Sequence, residues 1–263
     1  MKPLDVKKEL KQVLKSDIGE KTYQWALDSN FHSEERLIEF AKSIKKQYQE
    51  NKPFPNIMLS DFINKNLLQQ CYYELESGAP KIWNKSVHKN SYKFFNNNFE
   101  DYGQVLRVIF LYLLSDKFVN FLKELTGIED LVADTSLFGG GVSEIYAGGF
   151  LNPHADFNKK PSELGHLGEH QYRRLNLLLY LNPKYKEECG CSLELYNDDM
   201  SEVVKNYPPE FNYCVIFETS KKSYHGNSPW NCKGARRALS VYYYSKDRGG
   251  QDEEMHDTLY QKK

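Results

Sequence analysis

The sequence predicts an α+β protein, with supporting helices in the N-terminal half and a sandwich or barrel of short strands in the C-terminal half. Three observations predict it. Apolar residues recur at helical spacing through much of the chain up to Thr126. Beyond Ser143, half a dozen short runs are alternating or continuously apolar and are punctuated by turn residues. At 263 residues, 40% of them hydrophobic, the chain has material for a sizeable core.

Leu4, Val6, Leu10, Val13 and Leu14 mark a first amphipathic helix, and Leu37, Ile38, Phe40, Ala41, Ile44 and Tyr48 a second. Ser33 is the expected N-cap of the second, with Glu34 and Glu35 in the first turn, where the helix dipole favours acid. Pro53-Phe54-Pro55 ends it and leads into an outer strand, Asn56-Ile57-Met58-Leu59. Residues 1–52 thus read as a helical extension and 53–263 as the main domain. A further helix is expected over 65–76, with Gly78 past its end. Ser115 separates two more, 101–114 and 116–126, the second ending near Gly127. All of these read as scaffold. Residues 84–98 are polar, Asn-rich and aromatic without a helical period. A loop or hairpin folded over a functional site and an inert surface loop both fit that stretch.

In the second half, Ser143 to Tyr146 is a strand, Gly148-Gly149 a tight turn, and Phe150-Leu151 the start of another strand. Arg174 to Asn182 is apolar enough to be buried on both faces. Ser192 to Tyr196 alternates, and Asn197-Asp198-Asp199 closes it. Tyr213 to Phe217 is another apolar run, and Arg237 to Tyr244 a long aromatic and β-branched strand.

The most informative residues are His154-Ala155-Asp156, followed far along the chain by His225 and Arg236. On an extended chain residues i and i+2 share a face, so His154 and Asp156 can point at one metal. His225, just past the run ending at Phe217, supplies the third ligand from a different strand. Two imidazoles and a carboxylate are the facial triad of non-haem Fe(II), which leaves three coordination positions open. An Arg beyond the second His suits a carboxylate-bearing co-substrate, because the guanidinium fork matches a carboxylate. The set points to an iron- and 2-oxoglutarate-dependent oxygenase. A His-x-Asp tripeptide is common by chance, however, and spacing alone fits two unrelated surface histidines equally well.

Composition narrows the partners. With 35 basic and 36 acidic residues the formal net charge is −1, so no global field favours nucleic acid or an anionic membrane. Met1 to Asp17 is charged throughout and lacks a signal-peptide h-region, and Val105 to Leu114 is too short to span a bilayer and contains Arg107. The five cysteines, at 71, 189, 191, 214 and 232, are an odd number, which together with the missing signal predicts reduced thiols in a cytoplasm. Cys189 and Cys191 alone could hold a metal or close a local disulfide. The Gly139-Gly140-Gly141 run lacks the Lys-Ser/Thr of a P-loop. His166 and His170 fall in a Gly-containing stretch, 159–172, that reads as a loop at the site mouth or as plain exposed chain.

A resemblance adds to this reading. The pieces Gly-Gly-Phe-Leu-x-x-His-Ala-Asp-Phe-Asn at 148–158, Arg-Arg-Leu-Asn-Leu-Leu-Leu-Tyr-Leu-Asn at 173–182, Leu-Glu-Leu at 193–195, Ile-Phe-Glu-Thr at 216–219, Tyr-His-Gly at 224–226 and Arg-Arg-Ala-Leu-Ser-Val-Tyr-Tyr-Tyr at 236–244 occur in that order. With them, Gly139 to Ser245 resembles the prolyl 4-hydroxylase-like branch of the 2-oxoglutarate/Fe(II)-dependent dioxygenases. The resemblance implies a double-stranded β-helix, or jelly-roll, core at about 139–246, with His154, Asp156 and His225 as the iron ligands. It implies a basic residue at the start of the last core strand that binds the distal carboxylate of 2-oxoglutarate. Alternation groups Arg236 with Ala238, Ser240 and Tyr242, a smaller and more polar set than that of Arg237, so Arg236 is placed at the co-substrate and Ser240 as a second donor. Tyr180 stands where relatives have a tyrosine that donates to the same carboxylate, although an ordinary buried aromatic also fits it; Asn176 shares its strand face.

The activity so implied is hydroxylation of an unactivated C–H bond, with O2 consumed and succinate and CO2 released. Its cofactors are Fe(II) and 2-oxoglutarate, with ascorbate as a reductant, and the substrate is peptidyl proline or a small metabolite or sugar. Gly190-Cys191, Tyr196 and Asn212-Tyr213 depart from the Gly-Gly, Trp and Asn-Arg of many relatives, which bears on substrate more than on chemistry. A non-catalytic or differently metallated jelly-roll binding or sensing module is the alternative. Such a module has no need of Arg236 and Tyr180.

Overall fold

The structure, a computed structural model, describes residues 3–13, 15, 33–159, 172–246, 248 and 254–261. Helix α1 (Val6–Val13) is followed by α2 (Glu34–Glu50), where the Ser33 hydroxyl accepts from the Arg36 amide and so caps the helix as expected. Helix α3 (Lys65–Glu76) is capped by Asn64, and α4 (Gln104–Leu113) and α5 (Asp116–Thr126) are divided by Ser115, which caps α5. Gly127 ends α5 in the left-handed region, at φ 80°. Helix α4 starts later than its hydrophobic pattern suggests, after a 3-10 turn at Phe99–Asp101. Its first-turn cap comes from elsewhere: the Glu74 carboxylate on α3 accepts from the amides of Val105 and Leu106. A Cβ on Gly103 would lie 2.1 Å from the Glu74 carboxyl carbon, so only glycine admits this cap.

The strands are β1 (Asn56–Leu59), β2 (Asn84–His88), β3 (Ser91–Asn96), β4 (Val132–Ala133), β5 (Gly141–Ile145), β6 (Leu151–Ala155), β7 (Tyr172–Tyr180), β8 (Leu193–Tyr196), β9 (Val203–Tyr207), β10 (Cys214–Glu218), β11 (His225–Asn227), β12 (Arg236–Ser245) and β13 (Leu259–Tyr260). They form one antiparallel sheet in the order β1-β10-β7-β12-β5-β3-β6-β11-β8-β9, with β13 on β6, β2 on β3 and β4 on β12. The sheet rolls up so that its walls touch: Phe217 on β10 meets the His225 ring on β11 at 4.8 Å between centroids. This nearly closed roll is the expected double-stranded β-helix. The polar stretch 84–98 is a hairpin, β2–β3, paired through β3 to β5 and so part of the barrel wall.

The wall β1-β10-β7-β12 has two apolar faces. Leu175, Leu177, Leu179, Ile216, Leu239 and Val241 face the helices and join Leu37, Leu67, Leu106 and Phe118 in one core. Tyr180, Val215, Phe217 and Ala238 face inward, where they pack with Leu193 and Leu195 of the opposite wall. Strand β7 is buried on both sides, which explains its continuous apolar run. No helix among the described residues is long and apolar enough to cross a membrane.

The cysteines require a correction. Cys189 and Cys232 form a disulfide, so the expectation of five reduced thiols fails, as does a local Cys189–Cys191 pair. The roll brings the turn after β7 against the loop before β12, a proximity that spacing along the chain does not reveal. Cys191 stays free and buried, and its sulfur accepts from the Asn227 amide. The bond closes a loop across 43 residues of sequence. Opening it with a reductant, or by Cys232→Ser, should destabilise the protein by about 4 kcal/mol through regained chain entropy. Urea denaturation with and without reductant measures this; coincident curves would show that the bond carries no stability.

Candidate functional site

His154 on β6 and His225 on β11 are direct antiparallel partners, with ring centroids 4.4 Å apart. Asp156, two residues on from His154, points to the same side. One donor atom from each of these residues lies within 4.8 Å of the others, and all three residues are buried, which makes a set able to hold one metal ion. The Nδ1 of His154 meets the Asn152 carbonyl at 2.8 Å and that of His225 the Ser223 carbonyl at 2.9 Å. A carbonyl only accepts, so each Nδ1 carries the hydrogen and each Nε2 keeps its lone pair for a metal.

Burial, with His154 alongside, pushes His225 down to about 4, so the ring is neutral at neutral pH as a ligand must be. Burial opposes charge on Asp156, but Arg173, then His225 and His154, hold its carboxyl well below the usual carboxylate range. Arg173 Nη1 lies 3.3 Å from Asp156 Oδ2, and Asn176 Nδ2 donates to the same oxygen at 3.2 Å. Asp156 Oδ1 faces His154 Nε2 at 3.6 Å.

Arg173 escaped the sequence reading, and its setting explains why. From Asn176, strict alternation turns Arg174 inward. Instead the pairing of β12 with β7 skips a residue between Tyr243–Leu175 and Tyr244–Arg173, so Arg174 is the extra residue of a bulge. Arg174 turns outward to Glu218, and Arg173 turns inward. There its guanidinium is held between the Phe157 and Tyr242 rings, at 3.5 and 3.6 Å, and donates to the Tyr244 hydroxyl.

Strand β12 turns Arg236, Ala238, Ser240 and Tyr242 inward, beside Tyr180, Leu178 and Asn176 of β7. The Arg236 guanidinium lies over the Tyr180 ring, 4.8 Å from its centroid. Arg236 Nε, Tyr180 Oη and Asn176 Oδ1 are buried without a hydrogen-bond partner among the described residues. Burial pushes Tyr180 up to about 12 against the pull of Arg236, which keeps its hydroxyl a donor. Arg237, by contrast, turns outward into an ion pair with Glu144 at 2.6 Å and another with Glu76.

Arg236, Ser240, Asn176 and the three candidate ligands line an inner cavity of about 70 Å3. An outer chamber of about 230 Å3 adds Ser86, Ser91, Arg173 and Tyr260 around His154 and Asp156. Tyr260 reaches this mouth because β13 pairs with β6 opposite His154. Lys93 lines both spaces, and the polar, Asn-rich stretch that carries it concealed it. The stretch 160–171, with His166 and His170, lies outside the described residues.

Residues 140–244 match the family model of the 2OG-Fe(II) oxygenase superfamily. Among curated proteins the chain is similar to the prolyl 3-hydroxylase OGFOD1 of Xenopus laevis, at 28% identity over 181 residues, 66% of this chain and 31% of that one. The chain thus spans about a third of that relative's length. Among solved structures it shares its fold with a prolyl hydroxylase from Trichoplax adhaerens in complex with a hypoxia inducible factor peptide (TM-score 0.59, 17% identity, 81% of this chain and 92% of that one). It does so too with a Pseudomonas putida prolyl-4-hydroxylase (TM-score 0.54, 15% identity, 80% and 100%).

The buried, neutral His225 gives the metal-free protein an acid sensitivity. Its value falls from 6.5 to about 4 on folding, so between those values the unfolded chain binds more protons and stability drops as the pH falls. The loss should reach roughly 2–3 kcal/mol at pH 4. Denaturation midpoints of the metal-free protein at pH 7 and pH 4.5 measure it, and His225→Asn should flatten the difference.

Proposed function

We propose that this chain is an Fe(II)- and 2-oxoglutarate-dependent hydroxylase of the prolyl hydroxylase type. The observation that carries the reading is the buried His154–Asp156–His225 cluster opening on a cavity lined by Arg236, whose guanidinium lies over the buried Tyr180 ring; Arg236 Nε and Tyr180 Oη have no hydrogen-bond partner among the described residues. Two imidazoles and one carboxylate suit ferrous iron with positions to spare. The partnerless Arg236 Nε and Tyr180 Oη suit a carboxylate, the end group of 2-oxoglutarate. Bound together, iron and co-substrate supply an O2-consuming oxidation that hydroxylates an unactivated C–H bond and releases succinate and CO2.

The chain's own groups bind and orient. His154 and His225 present Nε2, their tautomers held by backbone carbonyls. Asp156 presents Oδ1 while Arg173 and Asn176 hold Oδ2. Arg236 would hold the distal carboxylate, with Tyr180 and Ser240 as further donors. The Phe157 and Tyr242 rings keep water from the Arg173–Asp156 pair. Because the curated relative and the two structural neighbours are named prolyl hydroxylases, we take a prolyl residue of a peptide as the substrate ahead of a small metabolite. Ascorbate completes the proposal as the reductant that keeps the iron ferrous. A mere binding module would leave Arg236 and Tyr180 without a ligand.

Anoxic titration with Fe(II) and 2-oxoglutarate tests this through the visible metal-to-ligand charge-transfer band. The wild type should form the band, Asp156→Ala should not, and Arg236→Met should raise the 2-oxoglutarate dissociation constant roughly thirtyfold or more. A folded wild-type protein that forms no band would overturn the reading.

A further inference from the structure

The walls of the two cavities carry an excess of positive charge. Among the described lining residues, Arg173, Arg236 and Lys93 are cations, and Asp156 is the only carboxylate. A divalent iron and a doubly ionised 2-oxoglutarate cancel each other and leave that excess in place. Arg173 is spent on Asp156, and Arg236 faces the inner cavity beside Tyr180. Lys93 remains. It makes no hydrogen bond or ion pair among the described residues, although Asp156, Arg236 and Arg173 all lie near enough to act on its charge. Burial pulls its ammonium down, and Asp156 only partly opposes this.

Its position is fixed by register. Strand β3 pairs with β5 through Phe95 and Ser143, so alternation turns Ser91, Lys93 and Phe95 into the roll. Lys93 is thereby shared between the inner cavity and the outer chamber, where Ser86, Ser91, Thr258 and Tyr260 form the approach. Those four residues do not line the inner cavity. Half-buried and facing both spaces, the ammonium is placed to receive a counter-charge that arrives with a ligand.

We propose that Lys93 is a specificity determinant for the primary substrate, its ammonium receiving an acidic group carried close to the C–H bond that is hydroxylated. The inference rests on the hydroxylase reading above. Two sources share this chemistry: an acidic side chain beside the target residue of a peptide, and the carboxylate of a small molecule.

The test uses full-length protein loaded anoxically with Fe(II) and 2-oxoglutarate, and two matched pairs of probes. One pair is a prolyl peptide with Asp or with Asn next to the proline; the other is N-acetyl-L-proline and its amide. Perturbation of the charge-transfer band reads binding, and succinate release on admitting O2 reads turnover. In the wild type the acidic member of at least one pair should bind about tenfold or more tightly than its neutral partner. The pair that responds separates a peptide from a small molecule. Lys93→Met should keep the band and its affinity for 2-oxoglutarate and lose the preference. The proposal is overturned if the wild type shows no acidic preference in either pair, which needs no variant to observe. It is overturned equally by a preference that survives Lys93→Met, or by a tenfold loss of 2-oxoglutarate affinity in that variant, which would make Lys93 a co-substrate ligand. Failure of the hydroxylase reading itself appears earlier, as a wild-type protein without a band before any probe is added.

Discussion

A carboxylate kept ionised inside a protein has to be answered where it stands, and much of this site is arranged around that need at Asp156. The answer is Arg173, itself a charge removed from water, which therefore needs its own compensation. Ring faces from Phe157 and Tyr242 and the hydroxyl of Tyr244 supply it. Through these contacts the end of β6, the start of β7 and the second half of β12 are held to one geometry. The two histidines carry no such charge-for-charge arrangement; a single backbone carbonyl orients each of them.

The same strands connect the site to the bulk of the fold. Strand β12 shows one face to the cavity and the other to the helices, where Leu239 and Val241 are fully buried and the Tyr243 hydroxyl donates to the Leu113 carbonyl at the end of α4. The helical layer thus sets the height and tilt of the strand that carries Arg236 and Ser240. Arg237 adds a polar lock on the outer face through Glu144 and Glu76. Adjacent arginines of one strand therefore serve opposite ends, one facing the chamber and one fastening the wall to α3.

How much of this was legible in the sequence follows from which physical rule governs each residue. Period-two alternation is local and robust, so it placed His154 with Asp156 and separated Arg236 from Arg237. Capping is local too, which is why Ser33, Ser115 and Gly127 mark helix ends in the structure as they do in the sequence. Rules that depend on a distant partner failed. The bulge at Arg174 exchanges the two sides of β7 and cannot be seen from a run of alternating residues. The Cys189–Cys232 bond depends on two loops meeting only after the sheet has rolled. Lys93 was not singled out, because an inward lysine breaks the pattern that identifies a strand. Strands β4 and β13 are two residues long, too short to carry a period at all.

The cap that Glu74 places on α4 has a consequence for how the chain orders itself. Val105 and Leu106 find their acceptor on another helix, so the first turn of α4 is complete only when α3 is already docked. Gly103 leaves the space for that carboxylate and brings little helical preference of its own. The two helices accordingly belong to one cooperative unit of local unfolding, and the start of α4 opens to solvent whenever α3 lifts away. Since α4 also receives Tyr243, fluctuations of a helix pair on the outside of the barrel are transmitted to the strand that lines its interior.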